Sequence, residues 1–179
     1  MRAAAVLSLV LAAAAAGCGG SSKPGASVSA VICVPPTTPD RASICGRSGA
    51  NPEGKSPSTI VVGTRRVARP LSAHGFWRKA ILSPDGKTVL AQWSGECEVQ
   101  TTFFVAVGGG RPRAVTGEGS LSRAPASTAL GWAADGRARV RLSQGACGRG
   151  FSQPGVYLID PHTGARTLEH RMRGFPGGA

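Results

Sequence analysis

The chain has 179 residues, and 21 lysines and arginines against 9 aspartates and glutamates give a formal net charge of +12. This length fits one domain with a hydrophobic core. The positive charge favours contact with anionic material such as phospholipid headgroups, teichoic-type polymers or acidic glycans, although a merely solvated basic surface is the simpler explanation. Nucleic acid is a poor candidate for the partner, because the N-terminal pattern described next predicts an exported protein.

The N-terminal segment has the pattern of an export signal. Met1-Arg2 is followed by the apolar run Ala3–Ala16, which is too short to span a bilayer comfortably, and then by small residues. The sequence Ala-Ala-Gly-Cys at 15–18 resembles a bacterial lipobox, which usually has Leu at the position of Ala15. The resemblance implies that 1–17 is a helical signal peptide and that Cys18 is lipidated, which anchors the protein in the bacterial cell envelope, on the outer face of the cell membrane or in the periplasm. Plain secretion remains the alternative.

The residues after Cys18 divide into a tether and a single domain. Residues 18–29 are rich in Gly and Ser and are expected to be flexible. No helical periodicity of useful length follows, whereas β-branched or alternating runs recur around turn residues, as in 59–71, 79–93, 101–116, 129–143 and 155–169. The sequence therefore predicts that 30–179 is one all-β domain of antiparallel hairpins.

Two of the turns repeat at a fixed distance. Asp85-Gly86 and Asp135-Gly136 are fifty residues apart, and so are Cys97 and Cys147. Asp and Gly tolerate the backbone conformation that tight turns need. The pattern predicts four-stranded units at 76–116 and 129–169, with a degenerate unit at about 30–72, and a period near fifty is the length of a propeller blade.

The turn Ser83-Pro84-Asp85-Gly86 and the strand ending at 110–116 resemble the β-propeller repeats of TolB-like and WD-repeat-like bacterial envelope proteins. This resemblance covers about 76–169 and implies blade-like units without implying an activity. Closed propellers use four to eight blades, so two clear units and one partial unit are too few. A partial propeller or open sheet stack, further unrecognised strands, and a ring completed by other copies all remain open.

Three alternating arginines form the candidate anion-binding face. Arg137, Arg139 and Arg141 are predicted to share one side of a strand, with Ala138, Val140 and Leu142 on the other. The same pattern is typical of a solvated outer strand that protects an open sheet edge, and this alternative needs no ligand.

The cysteines beyond Cys18 are isolated in sequence. Cys33, Cys45, Cys97 and Cys147 have no C-x-x-C spacing and no neighbouring histidine, so a zinc site is not expected. In an oxidising compartment four such cysteines predict two disulfides. The favoured pairing is Cys33–Cys45 with Cys97–Cys147, and the other two connectivities stay open.

No catalytic motif, cofactor motif or metal motif is recognised in the sequence. His74, His162 and His170 are far apart, and turn formation explains the three aspartates beside Gly or Pro. Glu96 and Glu98 are a minor cation-site candidate, and Trp77, Trp93 and Trp132 are assigned to the core rather than to a sugar platform. The expected function is a non-enzymatic binding module that contacts another envelope protein or an anionic polymer.

Two alternatives of other classes stay open. One is a small hydrolase whose site is assembled from loops, and the other is an accessory or sensory module of an envelope enzyme. A histidine beside a carboxylate and a serine in one pocket would favour the hydrolase.

Overall fold

The computed structural model describes residues 31–34, 40–47, 58–72, 75–95, 100–117, 126–143 and 153–172. All regular structure in these residues is β-strand, which confirms the all-β prediction for this part of the chain. No helix in it has the length and hydrophobicity of a membrane span. The predicted signal peptide and tether, Cys18, Cys97, Cys147 and His74 lie outside the described residues.

In the described residues, twelve strands form three antiparallel sheets of four strands each, and none of these sheets closes on itself. The first sheet contains β1 (Val31–Val34), β2 (Ala42–Arg47), β3 (Thr59–Val62) and β4 (Arg65–Ala68). The middle sheet contains β5 (Phe76–Leu82), β6 (Thr88–Ser94), β7 (Gln100–Ala106) and β8 (Arg113–Ala114). The last sheet contains β9 (Ser127–Trp132), β10 (Ala138–Leu142), β11 (Gly155–Ile159) and β12 (Arg166–Arg171). In each sheet, strands that follow one another in sequence are neighbours.

The two Asp-Gly pairs occupy the same place in the middle and last sheets. In the β5–β6 turn the Gly86 N–H donates to the Ser83 carbonyl at 2.9 Å, and in the β9–β10 turn the Gly136 N–H donates to the Ala133 carbonyl at 3.0 Å. Both glycines have positive φ, 70° and 82°, a conformation that L-residues with a side chain rarely adopt. Turn geometry therefore explains why Gly stands at these two positions.

The second of these turns is one residue shorter than the first. The Ser83 N–H closes its turn by bonding to the Thr88 carbonyl, whereas the Ala133 N–H bonds to the Arg137 carbonyl. The strands that follow are consequently displaced by one residue relative to the fifty-residue spacing. Leu82 pairs with Val89 in the middle sheet, and Trp132 pairs with Ala138 in the last sheet.

The sheets stack in chain order with the middle sheet covered on both faces. Val89 and Ala91 of β6 are buried in a first cluster shared with the first sheet. Leu90 of β6 and Phe104 of β7 are buried in a second cluster shared with the last sheet. Because alternate residues of a strand point to opposite faces, β6 is buried on both sides, with Val89 and Ala91 toward the first sheet and Leu90 toward the last.

The first sheet carries a covalent link between its first two strands. Cys33 and Cys45 stand opposite each other in the β1–β2 register and are joined by a disulfide. The second disulfide of the favoured pairing, Cys97–Cys147, falls in the part of the chain that is not described.

Candidate binding surface

The arginines of β10 project from the last sheet on the side turned away from the middle sheet. Ala138, Val140 and Leu142 are fully buried in the second cluster, and Arg139 and Arg141 between them are exposed. We call the exposed side the outer face of the last sheet. β10 lies between β9 and β11, so these arginines mark an open sheet face and do not protect a sheet edge as an outer strand would.

Arg137 precedes β10 and belongs to the β9–β10 turn. Its guanidinium forms an ion pair with the Asp135 carboxylate at 2.7 Å and lies 3.5 Å from the Thr167 hydroxyl on β12. The hydrogen bond and charge of Asp135 raise the pKa of Arg137. This arginine therefore stays close to the outer face but is already paired with an anion of the chain itself.

Arg139 and Arg141 differ in their partners. The Arg139 Nε donates to a Glu169 carboxylate oxygen at 2.6 Å, which forms an ion pair between β10 and β12. The Arg141 guanidinium makes a long contact of 3.5 Å to the Thr128 hydroxyl. Within the residues that the structure describes, Arg141 is thus the arginine of this face that has no acidic partner.

Two further arginines connect neighbouring sheets, and the sequence analysis missed them. Arg65 at the start of β4 donates to the Gly108 carbonyl at 2.6 Å, and Arg113 at the start of β8 donates to the Pro161 carbonyl. Each carbonyl belongs to the turn between the third and fourth strands of the next sheet. The Arg113 guanidinium also lies over the Phe104 ring, 5.3 Å from its centre. The sequence feature that these two arginines share is that each is the first residue of the fourth strand of its sheet.

A groove of about 350 Å³ lies where three turns of the middle and last sheets meet. The β5–β6, β9–β10 and β11–β12 turns contribute to it, and the Trp132 indole forms part of its wall. Asp85, Asp135, Asp160 and His162 are among the residues that line the same groove. Residues that serve as separate turn corners in the sequence are thus brought together by the stacking of the sheets.

Hydrogen bonds keep the three groove aspartates ionised. The Ser83 hydroxyl and the Lys87 N–H lower the pKa of Asp85. Arg137 lowers the pKa of Asp135, and the N–H groups of Thr163 and His162 lower the pKa of Asp160. Carboxylates with lowered pKa are poor general acids near neutral pH, so the groove offers negative charge and hydrogen-bond acceptors.

The groove lining includes a serine, a carboxylate and a histidine, the combination that would favour a hydrolase. The Ser83 hydroxyl, however, donates to Asp85 at 2.6 Å and accepts from the Thr88 N–H at 2.9 Å. A nucleophilic serine instead needs a base that accepts its proton and is itself oriented by a third group. Ser83 is 7 % exposed and its hydroxyl stabilises the turn. His170 stands elsewhere, on the exposed β12.

No group of three His, Cys, Asp or Glu side chains in the described ranges is placed to hold a metal ion. The candidate cation ligands Glu96 and Glu98 fall outside those ranges. Trp77 and Trp93 are each 2 % exposed and pack in the first cluster, while Trp132 is half-buried.

No protein-family model, no curated protein and no solved structure matches this chain. The resemblance to TolB-like and WD-repeat-like repeats therefore rests on the turn at 83–86 and the strand ending at 110–116.

Proposed function

We propose that this chain is a non-enzymatic, lipid-anchored protein of the bacterial cell envelope that binds an anionic polymer through the outer face of its last sheet. In this proposal its three sheets are blade-like units of an open, propeller-like stack. The observation that carries the proposal is the pair of exposed guanidinium groups, Arg139 and Arg141, on a sheet whose other face is packed against its neighbour.

The chemistry of arginine suits a phosphate or carboxylate polymer. A guanidinium presents a planar fork of donors that matches either anion with two parallel hydrogen bonds. Alternate residues of a strand are about 7 Å apart, so Arg139 and Arg141 offer two adjacent contacts along an extended ligand. Arg141 has no competing carboxylate in the described part of the chain, whereas a ligand must displace Glu169 to reach Arg139.

Export and anchoring rest on the N-terminal sequence and agree with the disulfide. Cys33–Cys45 is the kind of bond that persists in oxidising compartments. Lipidation at Cys18, followed by the Gly- and Ser-rich 18–29, would hold the sheets near a membrane surface where anionic polymers are concentrated.

The binding test uses poly(glycerol phosphate) as the probe and isothermal titration calorimetry as the readout. Arg139→Gln/Arg141→Gln should weaken binding about tenfold, since two exposed ion pairs contribute roughly 0.7 kcal/mol each. The matched control is Arg78→Gln/Arg111→Gln, which removes the same charge from exposed residues of the middle sheet and its turn. Equal weakening by the two double variants, or no binding by the parent, would refute the proposal.

The anchor is tested separately by labelling cells with a radioactive fatty acid. The parent should carry the label and sediment with membranes, and Cys18→Ser should lose the label and appear in the soluble fraction. A labelled Cys18→Ser protein would exclude this residue as the anchor.

A loop-assembled hydrolase is the second candidate, because Ser83, Asp85 and His162 line one groove. Ser83→Ala decides between the two candidates. If the parent hydrolyses an activated ester and Ser83→Ala does not, the protein is a hydrolase that uses Ser83. If both proteins show the same background rate of hydrolysis, Ser83 is excluded as a nucleophile.

A further inference from the structure

The strand pairing defines equivalent positions on the three sheets. In each sheet, three paired residues form a row across the second, third and fourth strands. In the first two sheets this row lies on the face that packs against the next sheet, and in the last sheet the matching row lies on the outer face. The rows are Ala42–Val62–Arg65, Leu90–Phe104–Arg113 and Arg139–Leu158–Thr167.

The first two rows each join their sheet to the next one in the same way. Ala42 and Val62 are buried against the middle sheet, and Leu90 and Phe104 are buried against the last sheet. The arginine that ends each row reaches a carbonyl in the next sheet, as described above for Gly108 and Pro161. A sheet-to-sheet contact in this chain thus consists of an apolar pair and an arginine that spans the gap.

The third row has neither the arginine nor the complete apolar pair. Arg139 stands where the middle sheet has Leu90, and Thr167, which is too short to span to another sheet, stands where the middle sheet has Arg113. Only Leu158 keeps the apolar character of its counterpart Phe104, and it is half-buried.

A second replacement stands beside the first. Val115, which follows Ala114 of the middle sheet, is 1 % exposed and is buried together with Leu90 in the second cluster. Leu168 matches Ala114 in register, and Glu169 follows it as the extra residue of a β-bulge, before His170 pairs with Val156. The ion pair Arg139–Glu169 therefore takes the place of an apolar pair that joins two sheets.

We propose that Arg139, Arg141 and Glu169 close the stack, so that no fourth sheet, and in particular no sheet of a second copy of this chain, packs on the outer face of the last sheet. Covering an exposed ion pair with an apolar sheet removes water from both charges, and the attraction between them does not compensate for that loss. Arg141, which has no acidic partner in the described part of the chain, would be buried as well. This inference rests on the fold and is independent of the proposed polymer binding.

The test restores the residues of the middle sheet with Arg139→Leu/Glu169→Val, which leaves the net charge unchanged. Sedimentation equilibrium over a range of protein concentrations is compared between this variant and its parent, both as the full chain with Cys18→Ser so that no lipid contributes to the mass. Arg78→Leu/Arg111→Val is the control, since it adds the same apolar side chains at exposed sites away from the outer face. Circular dichroism establishes that each variant is folded.

We expect the parent and the control to stay monomeric and Arg139→Leu/Glu169→Val to associate, with a mass that rises with concentration toward that of a dimer. The inference is overturned if the restored variant stays monomeric, or if the parent itself associates and Leu158→Lys dissociates it. If the parent associates and Leu158→Lys does not dissociate it, that association uses another surface. The mass of Arg139→Leu/Glu169→Val is then compared with that of the parent: a larger mass supports the inference, and an equal mass overturns it. A monomeric parent that fails to bind poly(glycerol phosphate) would refute the proposed function and leave this inference standing.

Discussion

Trp77 of β5 is held between the first two sheets by ring contacts and by two hydrogen bonds. Its ring packs edge-on against Trp93 and Phe103, with centres 5.0 Å and 5.8 Å away. Its indole N–H donates to the Arg69 carbonyl at 3.1 Å, and its backbone N–H donates to the buried Ser58 hydroxyl at 2.7 Å. The ring and both polar groups are thus satisfied between the first two sheets, as buried aromatic side chains require.

Trp77→Ala should lower the free energy of unfolding by about 3–5 kcal/mol, because it leaves a large cavity and an unpaired carbonyl. Trp132→Ala is the comparison, since Trp132 is only half-buried and should cost less. Chemical denaturation with tryptophan fluorescence or circular dichroism measures both. A loss from Trp77→Ala that is no larger than that from Trp132→Ala would contradict the packing described for the first cluster.

The groove aspartates give the stability of the protein a dependence on pH. The pKa values of Asp85, Asp135 and Asp160 in the folded protein are lowered from the ordinary value of 3.8. A carboxyl group with a lowered pKa in the folded state stabilises that state above its ordinary pKa, and the contribution is lost as the pH falls through 3.8 toward the lowered value.

The melting temperature should therefore fall as the pH is reduced from about 5 to about 2, and Asp135→Asn should make this fall shallower. Asn retains an oxygen that accepts the Arg137 N–H, so the turn is preserved while the charge is removed. Differential scanning calorimetry across this range provides the measurement. An equally steep fall in Asp135→Asn would show that the pairing with Arg137 does not contribute to stability.

Some elements could be predicted from their own residues. Pro84-Asp85-Gly86 and Ala134-Asp135-Gly136 encode turns through local chemistry, and the alternation in β10 correctly separates its buried residues from its arginines. The position of β10 inside its sheet could not be predicted, because strand order depends on which hairpins pair. The one-residue shortening of the β9–β10 turn was hidden as well, since it lies in the hydrogen bonding and not in the spacing of Asp and Gly.

The hydrogen bonds of Arg65 and Arg113 between sheets could not be predicted either, because they also depend on how distant parts of the chain pack. Arg65 bonds to a residue 43 positions away and Arg113 to one 48 positions away, and both partners are carbonyls, which every residue carries. The groove is likewise assembled from three separate turns, so no local pattern places His162 beside Asp85.

Arg113→Ala should lower the free energy of unfolding by about 1 kcal/mol, because it removes a charged donor from a partly solvated carbonyl. Arg65→Ala should have a similar but smaller effect, since Arg65 is more exposed. Arg66→Ala, an exposed neighbour on β4, is the control and should change stability by less than about 0.5 kcal/mol. Urea denaturation compares the three variants, and equal effects from Arg113→Ala and Arg66→Ala would rule out the link to Pro161.

For the whole molecule, the principal feature is the order of the stack. A sheet in the middle must be apolar on both faces, and β6 and β7 meet this requirement with Val89, Leu90, Phe104 and Val105. The last sheet meets it on one face only, since its other face carries arginines. This difference between two sheets of the same topology is the basis of our proposal that stacking ends at the last sheet.

The most direct test of this order is a nuclear Overhauser spectrum of the protein with labelled methyl and aromatic groups. Leu90 and the Phe104 ring should show cross-peaks to side chains of the last sheet, including the Trp132 ring, whose centre is 6.3 Å from that of Phe104. Val89 and the Trp77 ring should show cross-peaks to Ile60 and other side chains of the first sheet. Cross-peaks from Leu90 and Val89 to one and the same neighbouring sheet, or to neither, would contradict the account.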